Sequence, residues 1–216
     1  MNEQPYAHPS LAAGEQIEVV LFDIGGVLAR FSGLELLREL SGSESELDVA
    51  ARWLMSPMVR SFESGACTNE EFAAGVVAEW DLPYTPAQFL EVFPTWLDDP
   101  FKGAEQMIRE TSAGVRVGCL SNTNALAWQG MISRWPLSAL FEERLRFLSF
   151  ELGAVKPDPE IYALVIERLP VRPTHALFLD DNPLNVEAAH AAGLRAEQAL
   201  GVEGARAVLT RYGLLA

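Results

Sequence analysis

The sequence predicts an α/β fold, in which helices cover both faces of a parallel sheet and a helical segment interrupts the chain after its first strand. The second half of the chain alternates short apolar runs, which are typical of buried strands, with segments of helical periodicity. The first half has one such run, at residues 17–22, followed by helical patterns alone as far as residue 95. This alternation favours a parallel sheet between two layers of helices.

The chain begins with a segment that has no apolar periodicity, and we expect residues 1–16 to form a flexible leader. The first predicted strand, at residues 17–22, ends at Asp23, and Gly25 and Gly26 lie in the turn that follows. Burying an unpaired carboxylate costs several kcal/mol. We therefore expect Asp23 to lie at the carboxyl end of the strand and to face a cleft, because open α/β sheets bind ligands there.

Residues 30–97 are predicted to form an all-helical cap, inserted between two parts of the core at residues 17–29 and 98–216. The apolar residues of its first helix share one face: Phe31, Leu34, Leu37 and Leu40. Capping boxes predict three further helix starts, at Ser43 with Glu46, Thr68 with Glu71, and Thr85 with Gln88. We expect Asp98-Asp99-Pro100 to end the insert. An insert at this point can exclude water from the cleft and select substrates.

The elements after the insert alternate regularly. Predicted strands cover residues 115–120, 145–150, 175–179 and 194–198. Predicted helices cover residues 102–111, 125–132, 159–168, 183–192 and 203–212. Asp158 is a predicted N-cap before Pro159, and Gly193 stops the helix that precedes it.

Composition excludes several classes of protein. The 216 residues are 49% apolar and carry a formal net charge of −14, which disfavours nucleic acid and anionic membranes as partners. Two cysteines, Cys67 and Cys119, give no disulfide framework. The sequence shows no signal-peptide pattern and no apolar run long enough to span a bilayer, so we expect a cytoplasmic protein. It leaves the oligomeric state open, and a monomer is compatible with it.

Four short segments place polar groups at or near predicted strand ends. They are Asp23-Ile24-Gly25-Gly26-Val27, Leu120-Ser121-Asn122-Thr123-Asn124, Lys156-Pro157-Asp158-Pro159 and Phe178-Leu179-Asp180-Asp181-Asn182. Taken singly, each is more often a helix N-cap, a turn or an exposed lysine. Their occurrence in one order at successive strand ends favours a common site, because parallel strands share one carboxyl edge.

The chemistry of the converging groups favours phosphoryl transfer. The carboxylates of Asp23, Asp180 and Asp181 would repel one another unless protons or a cation were bound. Oxygen ligands of this kind suit Mg²⁺. Lys156 adds a fixed positive charge and Ser121 a hydroxyl donor. A carboxylate, a metal, an ammonium group and hydrogen-bond donors are the parts required to transfer a phosphoryl group, and a carboxylate can also be the nucleophile.

These segments resemble, in order, the motifs of the haloacid dehalogenase superfamily, which is mostly Mg²⁺-dependent phosphatases with a Rossmann-like core and a helical cap. The segment of residues 62–72 resembles the small helical cap of that family. The resemblance covers residues 17–213. Within the family, the sequence is similar to the bacterial alpha-D-glucose-1-phosphate phosphatase-like members. It implies a Rossmann-like three-layer core and a phosphatase that acts on a small phosphorylated metabolite, with a sugar phosphate as one candidate.

The resemblance also implies roles for individual residues. Asp23 would be the nucleophile that forms an aspartyl-phosphate, Ser121 would bind the transferring phosphoryl group, and Asn122 would help at the same turn. Lys156 would bind the phosphate and stabilise its charge and that of Asp23.

The same resemblance implies a Mg²⁺ site. Asp23, Asp181, Asp180 and the backbone carbonyl of Gly25 would hold the ion, and the choice between Asp180 and Asp181 as the direct ligand stays open. Most phosphatases of the family carry a second aspartate, a general acid–base, where this chain has Gly25. The glucose-1-phosphate-like members share that glycine.

Three functions are therefore in competition. The first is a Mg²⁺-dependent phosphatase, in which a cap residue or water would do the proton work, or the leaving group would need little protonation. The second is a catalytically weak metabolite-binding or regulatory protein, suggested by Gly25. The third and least favoured is a 2-haloacid dehalogenase, because a halide needs no proton but a metal-free dehalogenase has no use for Asp180-Asp181.

Overall fold

A five-stranded sheet forms the centre of the computed structural model, which describes residues 16–42 and 45–215. Its strands follow the order β5-β4-β1-β6-β7, and every pairing is parallel. The strands of the sheet are β1 (Val19–Phe22), β4 (Arg116–Ser121), β5 (Arg146–Leu148), β6 (Ala176–Asp180) and β7 (Arg195–Gln198). Two further strands, β2 (Ala29–Phe31) and β3 (Leu97–Pro100), form a separate antiparallel pair.

Eleven helices are found in the described part of the chain. The first five, which precede β3, are α1 (Gly33–Ser41), α2 (Glu46–Met55), α3 (Pro57–Glu63), α4 (Asn69–Trp80) and α5 (Pro86–Val92). The other six are α6 (Ala104–Ser112), α7 (Ala125–Arg134), α8 (Ser149–Leu152), α9 (Pro159–Arg168), α10 (Pro183–Ala191) and α11 (Gly201–Arg211). None of the helices described is long and apolar enough to cross a membrane.

Strand β1 occupies the middle of the sheet because all four of its side chains are apolar and fully buried. Val19 lies opposite Arg116 of β4 on one side and Ala176 of β6 on the other. Apolar clusters cover both faces of the sheet, which confirms the predicted α/β fold of three layers. Strands β4 and β5 lie on one side of β1, and β6 and β7 lie on the other. The carboxyl end of β1 is therefore a topological switch point.

The insert differs from the prediction at its base. Phe31 was predicted to lie on a helix, but it lies in β2 and is paired with Leu97 of β3. The segment Asp98-Asp99-Pro100, predicted to end the insert, also belongs to β3. A three-residue strand is too short to show a period of two, and the packing of Phe31 on Trp96 decides its conformation. The predicted boundaries at residues 29–30 and 97–98 fall within this ribbon, so the division into core and cap remains a prediction.

The helix starts of the insert follow the sequence signals closely. The capping boxes of Thr68 with Glu71 and of Thr85 with Gln88 are both confirmed. Helix α2 begins at Glu46 after the N-cap Ser45, whereas the predicted box used Ser43, which lies outside the described residues. The five helices enclose an aromatic core, whose members are Trp53, Phe62, Phe72, Trp80, Phe89, Phe93 and Trp96.

Two predictions for the core are wrong in detail. The strand predicted at residues 145–150 ends at Leu148, because the Ser149 hydroxyl bonds the backbone of Thr123 and the chain turns into α8. Asp158 precedes α9, but its side chain makes no capping bond and instead pairs with Arg60. The predicted leader, apart from Gln16, lies outside the described residues. Cys67 and Cys119 are both free.

Candidate active site

Asp23 lies where the sequence predicts it, at the carboxyl end of β1, and is 8% exposed. Two contacts fix its carboxylate. The backbone N–H of Ile24 donates to Oδ1 at 2.7 Å, and the ammonium of Lys156 lies 2.9 Å from Oδ2. These two contacts hold both oxygens of a buried carboxylate that borders the cavity.

Lys156 is almost completely buried and lies beneath Asp23 rather than on the cavity wall. Its Nζ contacts Asp180 Oδ2 at 2.6 Å and donates to the carbonyl of Leu120 at 3.1 Å. Burial lowers the pKa of Lys156, but the carboxylates of Asp180 and Asp23 raise it by a larger amount. The pKa of Lys156 therefore lies above its usual value. Lys156 is therefore a permanent cation shared between two carboxylates.

Three carboxylates share that one cation. Asp23, Asp180 and Asp181 each place an oxygen within 4.8 Å of the others. Burial, opposed by Lys156 and reinforced by the charges of Asp180 and Asp181, raises the pKa of Asp23 to about 8. Burial and Asp180 also raise the pKa of Asp181 to about 6. This excess of negative charge fits a bound divalent cation, because oxygen ligands with uncompensated charge are what Mg²⁺ binds.

The two adjacent aspartates differ in their surroundings. Asp180 is fully buried, and both of its oxygens are occupied, by Lys156, the backbone N–H of Asn182 and the side-chain amide of Asn185. Asp181 lies on the cavity wall. The sequence left open which of the two faces a ligand, and the structure places Asp181 at the surface and Asp180 behind it.

The turn after β4 brings the predicted phosphate-binding residues to the same edge. Ser121 and Asn122 line the cavity together with Asp23 and Gly25. The side chain of Asn122, however, exchanges two hydrogen bonds with the backbone of Lys156, at 3.0 and 2.8 Å. The Asn122 amide thus fixes the segment that carries Lys156, so a phosphate contact at this residue would have to come from its backbone.

The cavity between these strand ends and the insert has a volume of about 380 Å³. The insert side is mostly aromatic and aliphatic, and includes Phe31, Leu34, Trp53 and Phe93. Glu63, at the end of α3, also borders the cavity and was not singled out from the sequence. Its position within the cap-like segment of residues 62–72 was the available signal, but helical spacing alone does not show which face of α3 meets the core.

Gly26 is required by the position of Asp181. Its φ of +72° is left-handed, and a Cβ at this residue would lie 2.1 Å from Oδ2 of Asp181. A Cβ at Gly25 would meet no atom within 4 Å. Of the two adjacent glycines, only Gly26 has no room for a side chain beside the carboxylate cluster, so Gly25 can serve as its control.

We predict that Gly26→Ala lowers the free energy of unfolding by about 1–2 kcal/mol, because the backbone is left-handed and Asp181 must move. Gly25→Ala is the matched control, and its effect on stability should stay within about 0.5 kcal/mol. Urea unfolding of both variants measures the difference. Equal behaviour of the two variants would contradict the assignment of Gly26.

Comparisons with known proteins identify the family of this chain. A family model described as haloacid dehalogenase-like hydrolase matches residues 17–193. Phosphatase MT3486 of Mycobacterium tuberculosis is 28% identical over 205 residues, covering 83% of this chain and 86% of that protein. D-ribitol-5-phosphate phosphatase of Bacteroides thetaiotaomicron is 25% identical over 188 residues, covering 79% of this chain and 85% of that protein.

Solved structures show the same fold. The haloacid dehalogenase family enzyme bt-2542 of Bacteroides thetaiotaomicron, solved with magnesium and inorganic phosphate, has a TM-score of 0.67 at 23% identity and covers 85% of this chain and 94% of its own. The L-2-haloacid dehalogenase PA0810 has a TM-score of 0.59 at 18% identity, covering 83% and 82%. The family model spans most of the chain, and the chain belongs to the haloacid dehalogenase-like hydrolases.

Proposed function

We propose that this hydrolase is a Mg²⁺-dependent phosphatase that cleaves a small phosphorylated metabolite through an aspartyl-phosphate intermediate. The observation that carries the proposal is the carboxylate of Asp23, which borders the cavity and is held 2.9 Å from the ammonium of Lys156. An oriented carboxylate is a suitable nucleophile for a phosphoryl group. The two relatives named as phosphatases support the same reaction.

In this proposal Asp23, Asp181 and the backbone carbonyl of Gly25 hold the ion, and Asp180 orients Lys156 from behind. Asp181 lines the cavity, whereas Asp180 is fully buried behind it, which is why we assign direct ligation to Asp181. When bound, Mg²⁺ supplies charge stabilisation for the phosphoryl group and relieves the repulsion between the carboxylates. The acidic cluster and the magnesium seen in the structure of bt-2542 support this assignment.

The remaining roles belong to the turn after β4 and to Lys156. The hydroxyl of Ser121, at the cavity wall, would donate to the phosphoryl oxygens. The backbone N–H of Asn122 would act beside it, since its side chain is engaged with Lys156. Lys156 would act on the phosphate through its charge, because its Nζ lies below Asp23.

Phosphate release from a panel of phosphomonoesters, with Mg²⁺ and with EDTA, tests the proposal. We expect turnover that requires Mg²⁺, and sugar phosphates belong in the panel because one relative is named for D-ribitol-5-phosphate. Alkyl and aryl phosphates should accompany them, since the insert side of the cavity is largely apolar. Failure to release phosphate from any compound would leave the second function, a catalytically weak binding protein, which Gly25 favours. Halide release indifferent to EDTA would instead favour the dehalogenase.

Magnesium should stabilise the protein more at high pH. The raised pKa values of Asp181 and Asp23, about 6 and about 8, mean that the native state binds more protons than the unfolded chain between the ordinary Asp pKa of 3.8 and about 8. Stability of the metal-free protein therefore falls as pH rises through this window. Mg²⁺ requires the deprotonated carboxylates, so we expect greater stabilisation at pH 8 than at pH 6.

At a Mg²⁺ concentration one-hundred-fold above its Kd, the gain at the higher pH should be about 2.7 kcal/mol. Urea unfolding at both pH values, with Mg²⁺ and with EDTA, measures the difference. An equal gain at both pH values would contradict ligation by Asp23 and Asp181.

A further inference from the structure

The proposed reaction needs a proton donor that the residues assigned so far do not supply. When the Asp23 carboxylate attacks phosphorus, the bond to the leaving oxygen breaks and that oxygen keeps the electron pair. An alcohol leaves readily only if the oxygen is protonated as the bond breaks. Gly25 has no side chain to do this, so the donor must lie elsewhere on the cavity wall.

The cavity wall offers few ionisable side chains. Among the described residues that line it, they are Asp23, Asp181, Arg30 and Glu63. Arg30 stays protonated at any working pH and forms an exposed ion pair with Glu35. Asp23 and Asp181 belong to the carboxylate cluster at the sheet edge. Glu63 is the lining carboxyl group that has no role in the reaction as described above.

Two contacts on either side of Glu63 fix it above the strand ends. One turn earlier, Arg60 Nη2 lies 2.5 Å from Oδ2 of Asp158, two residues beyond Lys156. Two residues later, Gly65 has a φ of +71°, and a Cβ there would lie 2.7 Å from the carbonyl oxygen of Phe150 in α8. Glu63 therefore lies between two points at which the insert contacts the core, near the segment that carries Lys156.

The charges around Glu63 suit a proton donor. Burial raises the pKa of Glu63 to about 7 despite the opposing charges of Lys156 and Arg60. Lys156 is the same ammonium that contacts Asp23, so the two carboxyl groups share one electrostatic environment. A carboxyl group that titrates near neutral pH can donate a proton in one step and accept one in the next.

We propose that Glu63 is the general acid–base of this enzyme and performs, from the insert, the proton transfers that Gly25 cannot perform. The inference rests on the proposed phosphatase function. In the first step, Asp23 forms a bond to phosphorus, the leaving oxygen takes the bonding pair and the proton of Glu63, and an alcohol departs. In the second, Glu63 takes a proton from a water molecule as the water oxygen bonds to phosphorus, the bond from phosphorus to Asp23 breaks with its electron pair returning to the carboxylate, and phosphate is released.

The test compares two leaving groups in Glu63→Gln with the enzyme in excess, so that only the first step is measured. On the alkyl phosphate that the wild type cleaves fastest, we expect the rate to fall by about 10²–10⁴-fold. On p-nitrophenyl phosphate, whose leaving group needs no proton, the loss should stay below about tenfold. The ratio is internal to each variant, so partial unfolding lowers both rates alike and leaves it unchanged. Glu70→Gln, an exposed glutamate of α4, is the matched control and should leave both rates unchanged.

A rescue variant completes the test. Gly25→Asp has open space for its side chain and should restore alkyl phosphate cleavage by at least about tenfold in the Glu63→Gln background. Equal losses on both substrates, or no loss on either, would overturn the role of Glu63. Absence of phosphate release by the wild type would overturn the phosphatase function itself, and this inference with it.

Discussion

Replacing Asp23, the proposed nucleophile, should abolish turnover while leaving the fold intact. We expect Asp23→Asn to lower kcat by at least ~10⁴-fold, the order of loss that follows removal of a covalent nucleophile. The side chain of Asn has nearly the same shape, and it removes one of three carboxylates that share a single ammonium. The stability of the metal-free protein should therefore change little.

Two measurements separate this expectation from a general loss of structure. Asp48→Asn, at an exposed aspartate of α2, is the matched control and should keep wild-type kcat. An acid quench during turnover should give one added phosphoryl group on the wild-type peptide that contains residue 23, and none in Asp23→Asn. A variant that retains more than about a hundredth of wild-type kcat would contradict the assignment of Asp23 as nucleophile.

Removing the buried ammonium should have the largest effect on stability. Lys156→Met leaves the carboxylates of Asp23 and Asp180 in the interior with no cation between them. Breaking a buried ion pair by removing one partner costs about 3–5 kcal/mol, because the remaining charge is uncompensated. We expect urea unfolding in EDTA to show a loss of this order, and added Mg²⁺ to recover part of it.

The control for Lys156 is an ion pair at the surface. Arg116 contacts Glu142 at 2.7 Å, but both side chains are more than a third exposed. Arg116→Met should therefore cost no more than about 1 kcal/mol. Adding Asp180→Asn to Lys156→Met removes one uncompensated charge and should restore part of the lost stability. If Lys156→Met costs no more than Arg116→Met, the buried cluster does not depend on its cation.

The residues at the carboxyl edge of the sheet could be predicted from the sequence, because buried strands and polar strand ends have strong sequence patterns. The apolar run of β1 predicts its central position, and the parallel alternation predicts that Asp23, Lys156 and Asp181 meet at one edge. Strands β2 and β3 could not be predicted in this way. The conformation of such short strands depends on tertiary packing, here between Phe31 and Trp96.

The details of the site depend on contacts that no local pattern encodes. The hydrogen bonds of Asn185 to Asp180 join residues five apart, and they decide which aspartate of the pair is turned inwards. The Asn122 side chain donates to the backbone carbonyl of Lys156, 34 residues away, so this side chain is not available to bind a phosphate. Glu63 becomes a candidate only when the insert is placed on the core through Arg60 and Gly65.

The β2–β3 ribbon bears on how the substrate choice of this protein can change. Ala29 lies directly opposite Pro100, so the chain leaves the core and returns to it through neighbouring, hydrogen-bonded residues. An insert joined at two adjacent points can be exchanged for one of different length or sequence while the chain ends on the core keep their spacing. Because Glu63, the proposed general acid–base, lies on the insert, an exchanged insert has to supply a carboxyl group at that place, so new specificity and proton transfer must be grafted together.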